Sequence, residues 1–210
     1  MNEPIDLKKY DTIIFDLGGV LINIDYLKTK RAFEKLGINN FDMLFTQFNQ
    51  DYIFDRFEKG EISPEIFYKS LVNKAGINIS IAEFNRAWNA MLLDFPKERM
   101  TLLEGLQNSH RLFLLSNTNA LHIPAFKKSI RNEGLFERFS MVFEKHYYSS
   151  EVGMRKPDIE IFDLVVNENN LVKKKTLFID DSPQHVEGAI RAGLKALHLK
   201  PGTDIIKLFE

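Results

Sequence analysis

An α/β fold, with a doubly wound, Rossmann-like parallel sheet and a small all-helical unit inserted after the first strand, is what three features of the sequence predict. Short apolar runs without the alternation of a half-exposed strand recur along the chain, as a parallel sheet buried on both faces requires. From residue 97 onward, helix-type patterns separate these runs. Between the first run and residue 95, only helical patterns occur. The expected division is a core of 1–20 and 96–210 and an insert of 21–95.

The first strand is expected over 12–16 (TIIFD). In the insert, Leu27, Phe33 and Leu36 share a helical spacing over 26–36, and Gly37 stops it. A shorter helix is expected around 41–48, and another over 51–59 ends at Gly60. Ser63 followed by Pro64 has the form of an N-cap with proline at the first helical position, opening a helix that runs to Gly76. Ser80 with Glu83 has the form of a capping box, opening a helix through Trp88 to Leu93. The stripe of Phe41, Phe45, Phe48, Phe54 and Phe57 is expected to be the core of this insert. Helices are then expected over 97–109, 121–131, 158–168 and 184–192. The strands among them are 112–117 (LFLLSN), 141–145 (MVFEK), 176–180 (TLFID) and 195–199 (KALHL).

A length of 210 residues suits one ordinary domain and a small second one. With 44% hydrophobic and 27% charged residues, the disordered, collagen-like and coiled-coil classes are excluded. The formal net charge of -1 argues against chain-wide binding of a polyanion, so no nucleic-acid partner is expected. There is no cysteine, hence no disulfide, no thiolate metal site and no cysteine nucleophile. The apolar run from Ile13 is interrupted by Asp16, and none elsewhere reaches spanning length. A cytoplasmic protein without a membrane partner is expected, and the oligomeric state stays open.

Two strands end in an acid, at Asp16 and at Asp180, and Asp181 follows directly. A third ends in Ser116-Asn117-Thr118-Asn119, and Lys156 precedes Pro157 at the start of a helix. Strand carboxyl ends in a parallel sheet line one edge, where ligands bind. Carboxylates gathered there repel each other, and a cation or a lysine relieves them. Hard oxygen donors favour magnesium. Cation, lysine, hydroxyl and backbone N–H groups together suit a phosphoryl group. The carboxylate then acts as a ligand only, or as a nucleophile that forms an aspartyl-phosphate. The histidines, among them His122, His146, His185 and His198, show no metal-ligand spacing and are given no role.

These residues resemble the haloacid dehalogenase superfamily, phosphatase branch. Asp16-Leu17-Gly18-Gly19-Val20 resembles its first motif, Ser116-Asn117 its second, Lys156 in Gly153-Met154-Arg155-Lys156-Pro157-Asp158 its third, and Asp180-Asp181-Ser182-Pro183 its fourth. The helical insert resembles the family's cap. The resemblance implies Asp16 as nucleophile and metal ligand. It implies Asp181, Asp180 and the Gly18 carbonyl around Mg²⁺. Ser116, Asn117, Gly18 and Gly19 would hold the phosphoryl group, with Lys156 bridging it to the nucleophile. The implied activity is Mg²⁺-dependent hydrolysis of a small phosphomonoester, a phosphorylated metabolite.

The family's phosphatases usually carry an acid two residues after the nucleophile, and here Gly18 stands there. This variant, with Ile24-Asp25-Tyr26 following, is similar to a subgroup of sugar-1-phosphate phosphatases, which implies a sugar phosphate such as a hexose 1-phosphate. The other readings are a dehalogenase, which has no need of the acidic pair, and a phosphate-ligand binding or regulatory protein that has lost turnover through Gly18. A phosphomutase is disfavoured by Gly18, and a signalling receiver domain by the late position of the acidic pair.

Overall fold

Every paired strand runs parallel to its neighbour, in the order β3-β2-β1-β4-β5. The strands are β1 (Thr12–Phe15), β2 (Arg111–Ser116), β3 (Lys145–Tyr148), β4 (Thr176–Asp180) and β5 (Lys195–His198). The structure is a computed structural model that describes residues 6–38, 41–44 and 52–209. Side chains alternate across the strands, yet both faces are covered. Ile13, Phe15, Leu112, Leu114, Leu177 and Ile179 enter one core cluster. Ile14, Phe113, Leu115 and Phe178 enter another. That double burial is why the strands read as unbroken apolar runs.

The first face is covered by α6 (Lys97–Gln107), α7 (His122–Asn132) and α8 (Phe136–Val142). The second is covered by α10 (Ile159–Glu168) and α11 (Pro183–Arg191). A short helix, α9 (Ser149–Val152), follows β3. Connections from β1 run out to β2 and β3 and then return across β1 to β4, so the strand order reverses beside β1. Ligands bind at such a reversal, outside the strand carboxyl ends.

The third strand departs from expectation. Residues Met141 and Val142 close α8, and the strand begins only at Lys145. Phe139 and Val142, three apart, turn into the core while Met141 is 76% exposed, which is helical rather than strand periodicity. The strand takes its buried side chains from Tyr147 and Tyr148 instead. A three-residue apolar run is compatible with either period, and packing decided it.

In the insert lie α1 (Tyr26–Lys35), α2 (Phe41–Leu44), α3 (Tyr52–Glu58), α4 (Pro64–Ala75) and α5 (Ile81–Asn89). Their termini follow local chemistry. The Asp25 side chain accepts from the Leu27 N–H at 3.0 Å. Ser63 caps α4 ahead of Pro64, and Ser80 with Glu83 forms a reciprocal capping box on α5. These helices share their own aromatic cluster: Phe33, Phe41, Phe54, Phe57, Phe67, Phe84 and Trp88. Phe45 and Phe48 lie outside the described residues. Phe67 sits at its centre, stacked on Phe57 at 4.0 Å and edge-on to Trp88 at 4.7 Å. The insert meets the core closely at Gly60, where a Cβ would lie 2.2 Å from the Ser150 carbonyl oxygen.

Truncating a fully buried aromatic leaves a cavity that its neighbours only partly fill. Phe67→Ala is expected to cost about 3–5 kcal/mol, read by urea denaturation followed through Trp88, the one tryptophan. A loss below about 1 kcal/mol would show that the aromatic cluster does not hold these helices together.

Candidate active site

β1 and β4 carry the same pattern in the same register, Thr12 beside Thr176 through Phe15 beside Ile179. The Asp16 N–H continues the ladder by donating to the Ile179 carbonyl at 2.9 Å. Asp16 and Asp180 are therefore neighbours at one sheet edge. Lys156, wholly buried, donates to Asp16 Oδ1 at 2.6 Å, to Asp180 Oδ2 at 2.6 Å and to the Leu115 carbonyl at 2.9 Å. All three ammonium protons are thus used.

The lysine is held from behind by Asn117. Its side-chain carbonyl accepts from the Lys156 N–H at 2.9 Å, and its amide donates to the Lys156 carbonyl at 2.8 Å. Sequence reasoning expected the backbone of Asn117 to matter, not this side-chain clamp. Asp180 is fully engaged. Besides Lys156 it accepts from the Ser182 N–H at 2.8 Å and pairs with His185 Nδ1 at 3.0 Å. Asp181 is less buried, and its carboxylate approaches Gly19 so closely that a Cβ there would lie 2.1 Å from Oδ2. Gly19 also takes a φ of +73°, which a side chain disfavours. Its N–H is committed to the Ile22 carbonyl at 2.8 Å, so what Gly19 supplies is space for Asp181.

Asp16, Asp180 and Asp181 each offer an oxygen within 4.8 Å of the others. Such a donor set, all carboxylate and without sulfur or imidazole, fits a hard divalent cation. The electrostatics agree. Burial raises the Asp16 carboxyl well above its ordinary range; Lys156 opposes this, and the Asp180 and Asp181 charges add to it. Burial and the Asp180 charge likewise raise Asp181. Burial works against the Asp180 charge as well, yet Lys156 and His185 hold that carboxyl below its usual range. One ammonium does not balance three carboxylates.

A pocket opens above this cluster. Asp16, Gly18, Ser116, Asn117, Thr118 and Asp181 line its floor, while Tyr26, Glu58, Met91 and Leu92 come from the insert. Arg155, His122 and His185 complete the polar wall. Arg155 bridges core and insert, reaching Asp55 at 2.8 Å and Glu58 at 3.0 Å. Every site residue expected from the sequence thus lies at this edge, although Gly19, Lys156 and Asp180 do not line the pocket itself: Gly19 packs against Asp181, and Lys156 and Asp180 are fully buried. Sequence reasoning missed Glu58, Tyr26, His122, His185 and Arg155 as pocket residues. Two of them carried a signal, Arg155 in its place next to Lys156 and Tyr26 in the Ile24-Asp25-Tyr26 run.

His122 is neutral because burial lowers it from 6.5 to about 3. The unfolded chain therefore binds one more proton than the folded one between those values, and stability falls as the pH drops through that window. Between pH 6.5 and about pH 5 the protein is expected to lose about 2 kcal/mol relative to His122→Gln, by urea denaturation at each pH. Parallel stability curves for the two proteins would refute this.

Known proteins resemble this chain in sequence and fold. The sequence profile of the haloacid dehalogenase-like hydrolases matches residues 13–199. A D-ribitol-5-phosphate phosphatase of Bacteroides thetaiotaomicron is 30% identical over 91% of this chain and 93% of its own length. A sesquiterpene phosphatase of Aspergillus oryzae is 29% identical, over 90% of each chain. A crystal structure of a haloacid dehalogenase family enzyme from B. thetaiotaomicron, a point variant in complex with magnesium and inorganic phosphate, superposes with a TM-score of 0.87. Its identity is 34%, covering 96% of this chain and 99% of that one. The shared motifs, the shared fold and the profile match over nearly the whole length lead to one conclusion: this chain belongs to the haloacid dehalogenase-like hydrolases.

Proposed function

We propose that the protein is a Mg²⁺-dependent phosphatase of small phosphomonoesters, working through an aspartyl-phosphate on Asp16. The observation that carries this reading is the buried Lys156 ammonium, 2.6 Å from both Asp16 and Asp180, with Asp181 alongside. It is supported by the phosphatases among the relatives and by the magnesium and phosphate bound in a similar enzyme.

In this reading Lys156 fixes the Asp16 carboxylate through Oδ1, and Lys156 together with a bound cation would offset the burial that raises this carboxyl, leaving it ionised for attack in line on phosphorus. The ester oxygen leaves, and water later cleaves the acyl phosphate. Ser116 and the Asn117 and Gly18 backbones bind the phosphoryl oxygens, while Lys156, its three protons committed, positions Asp16 against Asp180. Asp16, Asp181 and the Gly18 carbonyl would hold the magnesium ion, with Asp180 supporting them, and the bound ion supplies charge neutralisation at the phosphoryl group. The segment 21–95 acts as the cap that closes over the substrate and excludes water. A sugar or polyol phosphate suits the pocket better than an isoprenoid one. Glu58 and Arg155 in its wall would be left against hydrocarbon, which is unfavourable for charged groups.

Phosphate release is expected from at least one member of a panel of sugar phosphates, polyol phosphates and an aryl phosphate, only with Mg²⁺, and it is expected to fall to background in Asp16→Asn. Silence across the panel refutes the phosphatase reading, and activity surviving in Asp16→Asn refutes the nucleophile. Position 18 tests the missing acid. A Cβ there would meet Ile24 at 3.4 and 3.7 Å, ordinary contact, without a left-handed backbone, so a side chain can start there without backbone strain. Gly18→Asp is expected to speed alkyl phosphate hydrolysis about tenfold or more relative to aryl phosphate, since only the poor leaving group needs a proton. Equal effects on both esters would remove the argument.

A further inference from the structure

We infer that His122 determines substrate specificity by accepting a hydrogen bond from a hydroxyl of a polyol or sugar phosphate, in a position that exists only while the cap is docked. The inference rests on the phosphatase reading and assigns the part of the substrate that lies beyond the phosphoryl group.

His122 is held from two sides. On the core side, Asn119 Oδ1 accepts from the Leu121 and His122 N–H groups at 3.1 and 3.0 Å, which caps the start of α7 and fixes the His122 backbone beside the phosphate loop. On the cap side, the Trp88 ring stacks on the imidazole at 5.3 Å with an interplanar angle of 7°. Asn89 Oδ1 lies 2.8 Å from His122 Nδ1. Trp88 Nε1 also reaches Asn119 Oδ1 at 3.4 Å, so the same asparagine ties the two sides together. The imidazole is therefore locked by the last turn of α5 and by the loop after β2.

The chemistry of the ring then follows. A carbonyl oxygen of an amide only accepts, so Nδ1 must carry the proton. Nε2 is left as a lone pair. The residue is 8% exposed and lines the pocket together with Ser116, Asn117 and Asp16. Among the described residues Nε2 takes no hydrogen bond, and on a residue that lines the pocket this leaves an acceptor for a ligand to use. A substrate hydroxyl is the donor that fits: it brings one proton and no charge into a wall that already holds Arg155 and Glu58. Burial keeps the ring neutral, so the lone pair is present throughout the neutral range.

The test compares ribitol 5-phosphate with pentyl phosphate, which has the same chain length and charge but no free hydroxyls, with Mg²⁺ present. Wild type is expected to favour the polyol ester in kcat/KM. In His122→Phe, which keeps the stacking surface and loses the acceptor, the ratio of the two kcat/KM values is expected to fall about tenfold. In His122→Gln, whose amide oxygen can occupy the Nε2 position, the ratio should stay within about threefold of wild type. A fall of less than threefold in His122→Phe, or an equal fall in both variants, overturns the inference. Should a variant fail to fold, wild type is assayed on the single-deoxy analogues of ribitol 5-phosphate. One of them is expected to lose about tenfold in kcat/KM. If every analogue stays within threefold of the parent, or if wild type favours pentyl phosphate, the inference falls while the phosphatase reading stands. Release of phosphate from neither ester, while another member of the panel is hydrolysed, overturns the inference alone; silence across the whole panel overturns the phosphatase reading and the inference with it.

Discussion

A single buried ammonium holds this site together. Lys156 lies between two carboxylates that come from strands far apart in sequence, with 140 residues separating it from Asp16 and 24 from Asp180. Burying such charges is unfavourable unless each is paired and its remaining valences are met. Here that condition sets much of the architecture. β1 and β4 must be neighbours in matched register, β2 must deliver the Leu115 carbonyl, and Asn117 must grip the Lys156 backbone. Removing one member would leave the others charged and buried, which costs about 3–5 kcal/mol where such pairs have been broken.

Around that ammonium the carboxylates divide the work. Asp180 is saturated by Lys156, Ser182 and His185, and it is the carboxyl held below its usual range. Asp16 and Asp181 are the two whose charge the protein leaves undercompensated. A cation at their oxygens would complete the balance, and the missing side chain at Gly19 gives Asp181 room to reach it. Gly18 removes from the same loop the acid that the family usually places there, and with it the easy protonation of a poor leaving group.

The helical insert matters through its contacts with the core rather than through its own interior. Its aromatic cluster gives it a core of its own, and the Gly60 backbone, Arg155 and the Trp88–Asn119 contact attach it. Two of those attachments, Arg155 and Asn119, lie next to Lys156 and in the loop after β2. The insert and the site geometry are thereby linked through the Arg155 side chain and the loop after β2.

How much of this was legible in the sequence follows from the range of the forces involved. Ser63, Ser80, Gly37 and Gly60 announce helix ends through local backbone chemistry. The runs TIIFD and TLFID announce buried strands through composition alone. The order of Asp16, Ser116, Lys156 and Asp180-Asp181 carried the family and the phosphoryl chemistry, because a chain of this topology presents strand ends at one edge. The third strand was misplaced by four residues, since Met141-Val142-Phe143 suits either period until Phe139 and Val142 find the core. The Asn117 clamp, the different states of Asp180 and Asp181, and the arrival of Glu58 and His122 in the pocket left no mark on the sequence. Each depends on how the insert docks and on which loops meet. Contacts between segments many residues apart are decided by packing in three dimensions, not by the local pattern that a sequence displays.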